Sequence, residues 1–287
     1  MILGTSLRGV SVRSVTNTSR DASRPSFGSR LRWWRAHRGL SQLELAHTAG
    51  TSQRHLSFLE SGRTQPSREM VVQLATALDV PLRQQNVLLV AAGFAPVWRE
   101  SDLAAPALAQ VNAALDYILT QQEPYPAVVV DRRWNLLRAN AGAGRLTQFL
   151  TGPAADPSPG VLNLAEWLLS PTGLRPFLVN WREVALHLIR GIEADALADG
   201  TVESAALLRR LLALPDLPKP GTVIALDPPS SPVLAMHFRK HEISLRLFTT
   251  IATLGTPQDV TLEELRIESL FPADAETASL LRSWAAG

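Results

Sequence analysis

A pair of short helical patterns separated by one glycine, residues 41–60, constrains this chain more than any other stretch. Ser41 can cap the first helix through its hydroxyl, and Glu44, three positions later, completes a capping box. Gly50 can end that helix, because glycine enters the left-handed conformation without a Cβ clash. Two helices joined by so short a turn make a helix-turn-helix.

The side chains of the two helices divide into an apolar and a polar set. Leu43, Leu45 and Ala46 form the apolar face of the first helix, and Leu56 and Leu59 form that of the second. The other face of the second helix carries Gln53, Arg54, Ser57 and Phe58. Groups of this kind can reach the edges of DNA bases.

The region around this motif also matches a longer pattern. The matching residues are Arg35, Gly39-Leu40-Ser41-Gln42, Glu44-Leu45-Ala46, Gly50, Leu56-Ser57, Leu59-Glu60-Ser61-Gly62-Arg63 and Pro66-Ser67. Because they occur in this order and at this spacing, residues 28–80 resemble the Cro/cI-type (XRE) repressor domain. The resemblance implies an all-α head of five helices, whose third helix, about 52–60, lies in the major groove. It also implies an ion pair between Arg35 and Glu60, since a charge directly after a packed leucine needs a partner.

Side-chain chemistry and this docking assign roles on DNA. Gln53 can pair with adenine and Arg54 with guanine, each through two hydrogen bonds. Ser57 and Phe58 are further candidates for base contact, Phe58 for a thymine methyl group. The candidates for phosphate contact are Gln42, Thr51, Ser52, Ser61 and Arg63. Plain solvated surface is the alternative for each, and His55 could face DNA or cover a neighbouring helix.

Length and charge indicate a second domain with another task. A chain of 287 residues is too long for one small DNA-binding domain, so we assign the head to 28–95 and a second domain to 103–287. Residues 1–100 contain 13 Lys or Arg against 6 Asp or Glu, whereas residues 101–287 contain 15 against 20. This charge asymmetry is typical of a protein whose N-terminal domain binds a polyanion and whose second domain has another function.

The cysteine count and the length of the apolar runs indicate the cellular compartment. The absence of cysteine excludes disulfides and thiolate metal sites and fits a reducing compartment. No apolar run approaches about 18 residues, so we expect no membrane span and a cytoplasmic, nucleoid-associated bacterial protein. Residues 1–27 show no sustained period and no signal-peptide core, and we expect a disordered basic tail there. An upstream start codon or a basic arm reaching DNA phosphates would each account for it.

The rest of the head reads as three more helices. The first runs over 29–37, with Leu31 and Trp34 inside and Arg32, Arg38 and Trp33 outside. The fourth follows a cap at Ser67, with an apolar face of Met70, Val71, Leu74, Ala75 and Leu78. The fifth, 82–92, has more apolar surface than its own core needs. It could pack within the head or contact the second domain or a dimer partner.

The pattern after residue 103 mixes helices and strands. Helices are predicted at 108–119, 143–149, 162–169, 181–197, 203–212 and 275–284. Strands are predicted at 127–131, 134–139, 233–238, 243–254 and 265–271. We expect loops at 151–160, 214–232 and 255–262. This order predicts an α+β, PAS-like domain with one antiparallel sheet and helices over one face.

Several motifs in this half form a second pattern. They are Tyr125-Pro126-Ala127-Val128-Val129-Val130-Asp131, Trp134-Asn135-Leu136-Leu137, Asn140, Leu162-Asn163-Leu164, Gly173-Leu174-Arg175-Pro176 and Asn180-Trp181. They resemble the MmyB-type ligand-binding domain, which is coupled to XRE-type heads in bacterial regulators. The resemblance implies a pocket between sheet and helices for a small apolar ligand, with a fatty acid as the leading candidate.

Aromatic, Met and polar residues of this half are the candidates to line that pocket. They are Trp134, Asn140, Trp167, Arg175, Phe177, Trp181, Arg182, Met236 and Phe238. Aromatic and Met side chains can line a cavity, and Arg175 or Arg182 could pair with a ligand carboxylate. Each aromatic residue could equally be part of the core, and each arginine plain surface.

Enzyme motifs are missing from the sequence. It has no G-x-S-x-G elbow, H-E-x-x-H pair, P-loop or dinucleotide fingerprint, so we expect neither catalysis nor a cofactor. His237 and His241 could hold a metal only with a third ligand, such as Glu242 or His187.

Together the two halves predict a sequence-specific DNA-binding transcription regulator. We expect a repressor that binds an inverted repeat of double-stranded DNA as a homodimer, with no membrane partner and with affinity modulated by the apolar ligand. One alternative is a second domain that serves only dimerisation or recruitment of a partner protein. A more distant one is a metal-dependent enzyme tethered to DNA.

Overall fold

The computed structural model describes residues 25–152, 161–217 and 233–286. The predicted tail up to residue 24 and most of the predicted loops 151–160 and 214–232 lie outside these ranges. The head consists of five helices: α1 (Phe27–His37), α2 (Gln42–Thr48), α3 (Gln53–Glu60), α4 (Arg68–Ala77) and α5 (Leu82–Ala91). The predicted all-α head is thus confirmed.

Serine hydroxyls cap four of these helices, at Ser26, Ser41, Ser52 and Ser67. The capping box predicted for α2 is present, since Glu44 accepts a hydrogen bond from the Ser41 N–H at 2.7 Å. Helix α1 begins two residues earlier than predicted, because Ser26 caps it and Phe27 is buried in the head core. The predicted boundary between tail and head, at residue 27, is therefore wrong, because Ser26 and Phe27 already belong to the head.

The head core contains the predicted apolar residues, with Met70 partly buried at its edge and Leu43 as the one exception. Leu31, Trp34, Leu45, Ala46, Leu56, Leu59, Val71, Leu74, Ala75 and Leu78 are buried together. Leu43, predicted on the apolar face of α2, is 62% exposed instead. In a helix of seven residues, Leu45 and Ala46 already occupy the side that meets the core, and position 43 lies away from it.

The second structural unit, here called the sheet domain, is built on a five-stranded antiparallel sheet. Its strands are β1 (Ala127–Val130), β2 (Leu136–Ala139), β3 (Ala235–Lys240), β4 (Ile243–Ala252) and β5 (Arg266–Pro272). The spatial order is β2-β1-β5-β4-β3, so the first and last strands pair at the centre. This confirms the predicted α+β class.

Seven helices of the described residues surround this sheet: α6 (Ala109–Gln121), α7 (Ala141–Thr151), α8 (Leu164–Leu169), α9 (Trp181–Asp199), α10 (Val202–Leu212), α11 (Val260–Glu263) and α12 (Ala275–Ala286). Helix α6 packs on the outer face of the sheet, against Val129 and Ile267. Helices α7 and α12 pack on the inner face, against Phe238, Leu247 and Leu270. None of the described helices combines the length and the apolarity needed to cross a membrane.

Two predicted element boundaries are wrong for a local reason. The second strand does not begin at Trp134, which has φ 64° and lies in a turn where Asp131 accepts hydrogen bonds from the backbone N–H groups of Arg133 and Asn135. The predicted loop 255–262 contains the start of α11, which Asp259 caps through Thr261. Both features depend on carboxylates that bind the backbone locally.

The head and the sheet domain contact each other through α5 and α11. Glu263 accepts a hydrogen bond from the Leu82 N–H at 2.9 Å. Arg83 binds Glu264 through two guanidinium nitrogens, at 2.8 and 3.1 Å. The fifth helix thus contacts the second domain, and the contact is made by polar groups at its first two residues.

A second contact joins α1 to the end of α9. Gly200 follows α9 in the left-handed conformation, with φ 59°. A Cβ atom at this position would lie 2.8 Å from Cη2 of Trp33. Only glycine therefore permits this approach of the Trp33 ring.

Candidate nucleic-acid interface and ligand-binding face

Helix α3 presents the predicted base-contact residues away from the head core. Gln53 and Arg54 are exposed, and Ser57 and Phe58 are partly exposed, whereas Leu56 and Leu59 are buried. His55, left open from the sequence, is partly exposed. One helix therefore fixes four neighbouring polar or aromatic groups on a single accessible face, the arrangement needed to read a groove.

Phe58 lies between two arginines. The guanidinium carbon of Arg54 is 5.4 Å from the centre of the Phe58 ring, and that of Arg63 is 5.6 Å from it. Both distances are in the range of cation–π attraction. The ring thus holds two of the predicted DNA-contacting side chains at the same edge of α3, a role that its apolar character alone did not suggest.

Glu60 ends α3 inside a network of hydrogen bonds. Arg35 donates to both of its carboxylate oxygens, at 2.6 and 3.0 Å, and Gln42 donates at 2.8 Å. Burial opposes the charge on Glu60, but the hydrogen bonds from Arg35 and Gln42 outweigh it and hold the pKa of Glu60 below its usual value. Gly28 of α1 allows this closeness, because a Cβ there would lie 2.5 Å from the Leu59 carbonyl oxygen.

The predicted phosphate contacts are not all free for that role. The Gln42 amide is engaged by Glu60. Ser52 caps α3, accepting from the His55 N–H at 3.1 Å, and Ser61 donates to the Phe58 carbonyl at 3.2 Å. Arg63 is exposed and Thr51 partly exposed.

Five of the predicted ligand-pocket residues come together in the sheet domain. Phe238 is 2% exposed, and Trp167, Phe177, Trp181 and Met236 pack partly buried around the same cluster. The cluster is continuous with Leu247 and Leu270 of the inner face. Among the described residues these side chains pack on one another.

The two arginines predicted to receive a carboxylate both lie close to the Trp181 ring. Arg175 stacks 3.8 Å from the ring centre and donates to the Pro215 carbonyl at 2.7 Å and to Asp216 at 3.1 Å. Arg182 lies 5.0 Å from the same ring and is exposed. Arg175 therefore already has protein partners in this arrangement, and its predicted role as a ligand's partner stays a prediction.

Asn140 and Trp134 do not join the cluster. Asn140 caps α7, and its side chain binds the backbone of Ala127, Ala143 and Tyr125 at 2.8–2.9 Å. Trp134 packs with α8, α9 and α10, where its buried indole N–H has no hydrogen-bond partner in the described part of the chain. Asn140 is thus a structural residue, and Trp134 belongs to a different cluster.

The histidines do not form a metal site within the described residues, where no group of three potential ligands occurs. His237 lies on β3 with Nε2 2.6 Å from the Ser244 hydroxyl, while His241 lies in the turn before β4. Burial and the charges of Arg246 and Arg239 lower the pKa of His237. His241 does not continue the side-chain alternation of β3, because it is a turn residue.

Two polar cavities in the described residues lie where the head meets the sheet domain. The larger, of about 350 Å³, is lined by Arg38, Asp79 and Pro81 of the head and by Arg132, Glu263 and Arg266 of the sheet domain. The smaller, of about 110 Å³, lies beside Arg83 and Asp199. Neither lies at the aromatic cluster of the inner face.

Glu268, which the sequence analysis did not single out, is a further candidate. It lies on β5 and is 9% exposed. Burial raises the pKa of Glu268 to about 7, although a hydrogen bond with Thr249 and the charge of Arg266 act to lower it. The signal in the sequence was an acidic residue within the predicted strand 265–271, two positions before Leu270.

Comparison with known proteins agrees with both halves of this description. Residues 111–283 match the family model of the MmyB-like transcription regulator ligand binding domain, and residues 31–85 match a helix-turn-helix model. No curated protein matches the chain.

Two solved structures show local or remote similarity. The restriction-modification controller protein C.AhdI from Aeromonas hydrophila is 39% identical over 21% of this chain and 89% of its own, with a TM-score of 0.20. An RNA-binding light-oxygen-voltage receptor is 12% identical over 92% of this chain and 64% of its own, with a TM-score of 0.25.

Proposed function

This chain belongs to the family with an MmyB-like transcription regulator ligand-binding domain, and from that premise we propose that it is a dimeric repressor controlled by an apolar small molecule. It is a DNA-binding transcription regulator with a helix-turn-helix head. The observation that carries the proposal is the exposed face of α3, fixed to α1 through Glu60, on a chain that also has a ligand-binding domain.

On DNA, Gln53 and Arg54 are the base-reading residues, with Ser57 and Phe58 beside them. Arg63 and Thr51 are the best placed phosphate contacts, since Ser52, Ser61 and Gln42 have partners within the head. Two heads of a homodimer would insert α3 into two half-sites about one helical turn apart on an inverted repeat. The head would thus act inside the cytoplasm on double-stranded DNA.

The ligand would bind at the inner face of the sheet, near the cluster of Trp167, Phe177, Trp181, Met236 and Phe238. A fatty acid is the first class to test there. It can change DNA affinity only if it binds two arrangements of the protein unequally. The contacts of Arg83 and Leu82 with α11 supply a physical link between the ligand-binding unit and the head.

A second candidate function keeps the DNA-binding head but gives the sheet domain no ligand. The packing of the aromatic cluster on itself favours this reading, in which the domain serves dimerisation or recruitment. Neither version includes catalysis.

The experiment is native mass spectrometry of the purified protein, followed by selection of a binding site from random duplex DNA. A dimer that carries a small apolar molecule and selects an inverted repeat is the expected result. A ligand-free dimer whose DNA affinity does not respond to fatty acids would support the second candidate instead. Failure to select any sequence would overturn both.

A further inference from the structure

The larger polar cavity, of about 350 Å³, lies beside both contacts that join the head to the sheet domain. One of its lining residues is Pro81, next to the contact between α5 and α11. Another is Ala198, two residues before Gly200 and its contact with Trp33. The volume falls in the lower part of the range of small-molecule sites, about 300–1,000 Å³. A molecule in this cavity would therefore touch both units at once.

Acidic and basic side chains are equally numerous in the lining of this cavity. The basic ones are Arg38, Arg132 and Arg266, and the acidic ones are Asp79, Glu263 and Glu264. Glu264 is paired with Arg83, and Arg266 is paired with Asp195. Arg38 donates to two backbone carbonyls of the head. The charged groups that remain for a ligand are one arginine and two carboxylates.

Arg132 is the arginine that has the weakest contacts of the three. Its Nε is buried and has no hydrogen-bond partner among the described residues. Its ion-pair partner is Asp199, with Oδ2 3.3 Å from that Nε. The Asp199 carboxylate already accepts hydrogen bonds from the Ser204 hydroxyl at 2.6 Å and from the Thr201 N–H at 2.8 Å. A second carboxylate, from a ligand, would give Arg132 the two-pronged partner that guanidinium groups prefer.

Asp79 of the head and Glu263 of the sheet domain are the two remaining carboxylates. In the part of the chain that the structure describes, neither has a basic group within ion-pair distance. Burial raises the pKa of Glu263, and the charges of Glu264 and Asp79 act in the same direction. The Leu82 N–H and the charge of Arg132 act against this rise. A cation between the two carboxylates would relieve both the burial cost and their repulsion.

We infer that this cavity, here called the junction site, binds a zwitterion of about dipeptide size, with its carboxylate on Arg132 and its ammonium group between Asp79 and Glu263. An ammonium group has three donors, so it can bind two carboxylates at once. Because Asp79 belongs to the head and the other two residues to the sheet domain, the ligand would join the two units. The inference goes beyond the proposed function, since the junction site is separate from the aromatic cluster and needs no fatty acid.

The lining of the junction site disfavours ligands that carry a single charge. An anion such as phosphate would gain Arg132 but would also approach Asp79 and Glu263, and like charges at one site oppose each other. An amine without a carboxylate would leave the buried Nε of Arg132 as it is. A zwitterion supplies a partner to all three groups.

The test uses glycylglycine and three blocked forms, which share one backbone and differ in terminal charge. N-acetylglycylglycine keeps the carboxylate, glycylglycinamide keeps the ammonium group, and N-acetylglycylglycinamide has neither. Binding to the full-length protein is measured by isothermal titration calorimetry at neutral pH. We expect glycylglycine to bind tightest and each blocked terminus to weaken binding roughly tenfold, because a hydrogen bond between charged groups becomes one with a neutral group.

Three substitutions locate the two ends of the ligand. Glu263→Gln and Asp79→Asn should each weaken glycylglycine and glycylglycinamide roughly tenfold and leave N-acetylglycylglycine no weaker. Glutamine still offers an oxygen to the Leu82 N–H, and asparagine tolerates the left-handed backbone of position 79, with φ 48°. Arg132→Gln should show the opposite pattern, weakening the two peptides that have a carboxylate and sparing glycylglycinamide.

Glu242→Gln is the matched control, because it removes an exposed charge in the turn between β3 and β4 and lines neither cavity. It should change none of the four affinities. Thermal melting of each variant verifies folding, and the ranking of the peptides in the unsubstituted protein does not depend on any variant.

The outcomes separate this inference from the proposed function. Binding of none of the four peptides, or equal binding of all four, would overturn the junction site and leave control by an apolar ligand standing. Equal losses for every peptide in folded Glu263→Gln and Arg132→Gln would overturn it too, because both residues would then be structural only. Unchanged binding of glycylglycine by Asp79→Asn would overturn the contact with the head.

Discussion

Arg35 and Glu60 form a two-pronged ion pair between α1 and α3, with Nε 2.6 Å from Oε1 and Nη2 3.0 Å from Oε2. The Glu60 side chain is fully buried and that of Arg35 is 15% exposed. The pair therefore fixes the end of the DNA-facing helix to the first helix of the head. Gln42 adds a hydrogen bond from α2, so three helices meet at one carboxylate.

Glu60→Gln should destabilise the head, because Arg35 would keep a buried charge without a partner. The expected loss of unfolding free energy is on the order of 3 kcal/mol, measured by urea denaturation. The pKa of Glu60 is lowered in the folded state, so the stability it contributes is complete above the carboxyl pKa of the unfolded chain, about 4.3, and is lost as the pH falls. The difference between the two proteins should shrink accordingly at acid pH. Glu69→Gln, at an exposed position in the first turn of α4, is the control and should cost little.

Arg54→Ala should weaken binding to the selected DNA site by roughly 1–3 kcal/mol and relax the preference at one base pair. Fluorescence anisotropy with the selected duplex and with single-base variants measures both effects. Arg63→Ala is the comparison, since loss of a phosphate contact lowers affinity for all sequences and reduces the salt dependence. Equal losses for Arg54→Ala on selected and random DNA would assign Arg54 to the phosphates.

Phe58→Leu should reduce base discrimination without removing any polar contact. The ring holds Arg54 and Arg63 by cation–π attraction, which leucine cannot provide while it keeps much of the apolar volume. The loss should be roughly 0.5–1 kcal/mol on selected DNA for each arginine released. In an Arg54→Ala background, Phe58→Leu should cost less than in the original protein. Additive losses would mean that Phe58 contacts DNA independently.

Glu268→Gln should make the protein more stable than the original, and this advantage should grow as the pH rises. Burial raises the pKa of Glu268 to about 7, so the folded state binds this proton more tightly than the unfolded chain does. Stability attributable to Glu268 therefore falls between about pH 4.3 and about pH 7. Above that range we expect the variant to gain a few kcal/mol over the original, and near pH 4 to gain nothing. Thermal melting of both proteins at several pH values measures this difference. The substitution leaves the nearby ion pair of Arg266 with Asp195 in place.

Glu264→Gln should loosen the junction between the head and the sheet domain. Arg83 would lose its charged partner directly after α11 and, among the described residues, keep its ion pair with Glu100. We expect two melting transitions where the original protein shows one, because the two units would unfold more independently. Glu242→Gln again serves as the control. A single unchanged transition would show that the remaining contacts, including that of Trp33 with Gly200, suffice to couple the units.

The head could be predicted almost completely from the sequence, because its signals are local. Capping serines, the glycine turn and the spacing of leucines act within a few residues of one another. Leu43 is the exception, since a short helix offers too little periodicity to place every apolar residue.

The sheet domain could be predicted as a fold but not as a site. Strand alternation gave β3 to β5, yet the partner of each polar side chain depends on residues far away in the chain. Arg175 illustrates this, since Pro215 and Asp216 lie about forty positions later. Glu268 illustrates the converse, because only the three-dimensional pairing reveals that this acidic residue is buried between Val128 of β1 and Ile251 of β4.

The central position of β5 also has a consequence for synthesis of the chain. Residues Arg266–Pro272 join the β1–β2 pair to the β3–β4 pair, so the sheet remains two separate hairpins until almost the whole polypeptide has left the ribosome. The last helix of the head ends at Ala91, 175 residues before β5 begins at Arg266. A nonsense mutation between Ala91 and Arg266 would therefore release a protein that still has every helix of its DNA-binding head but can no longer complete the sheet domain.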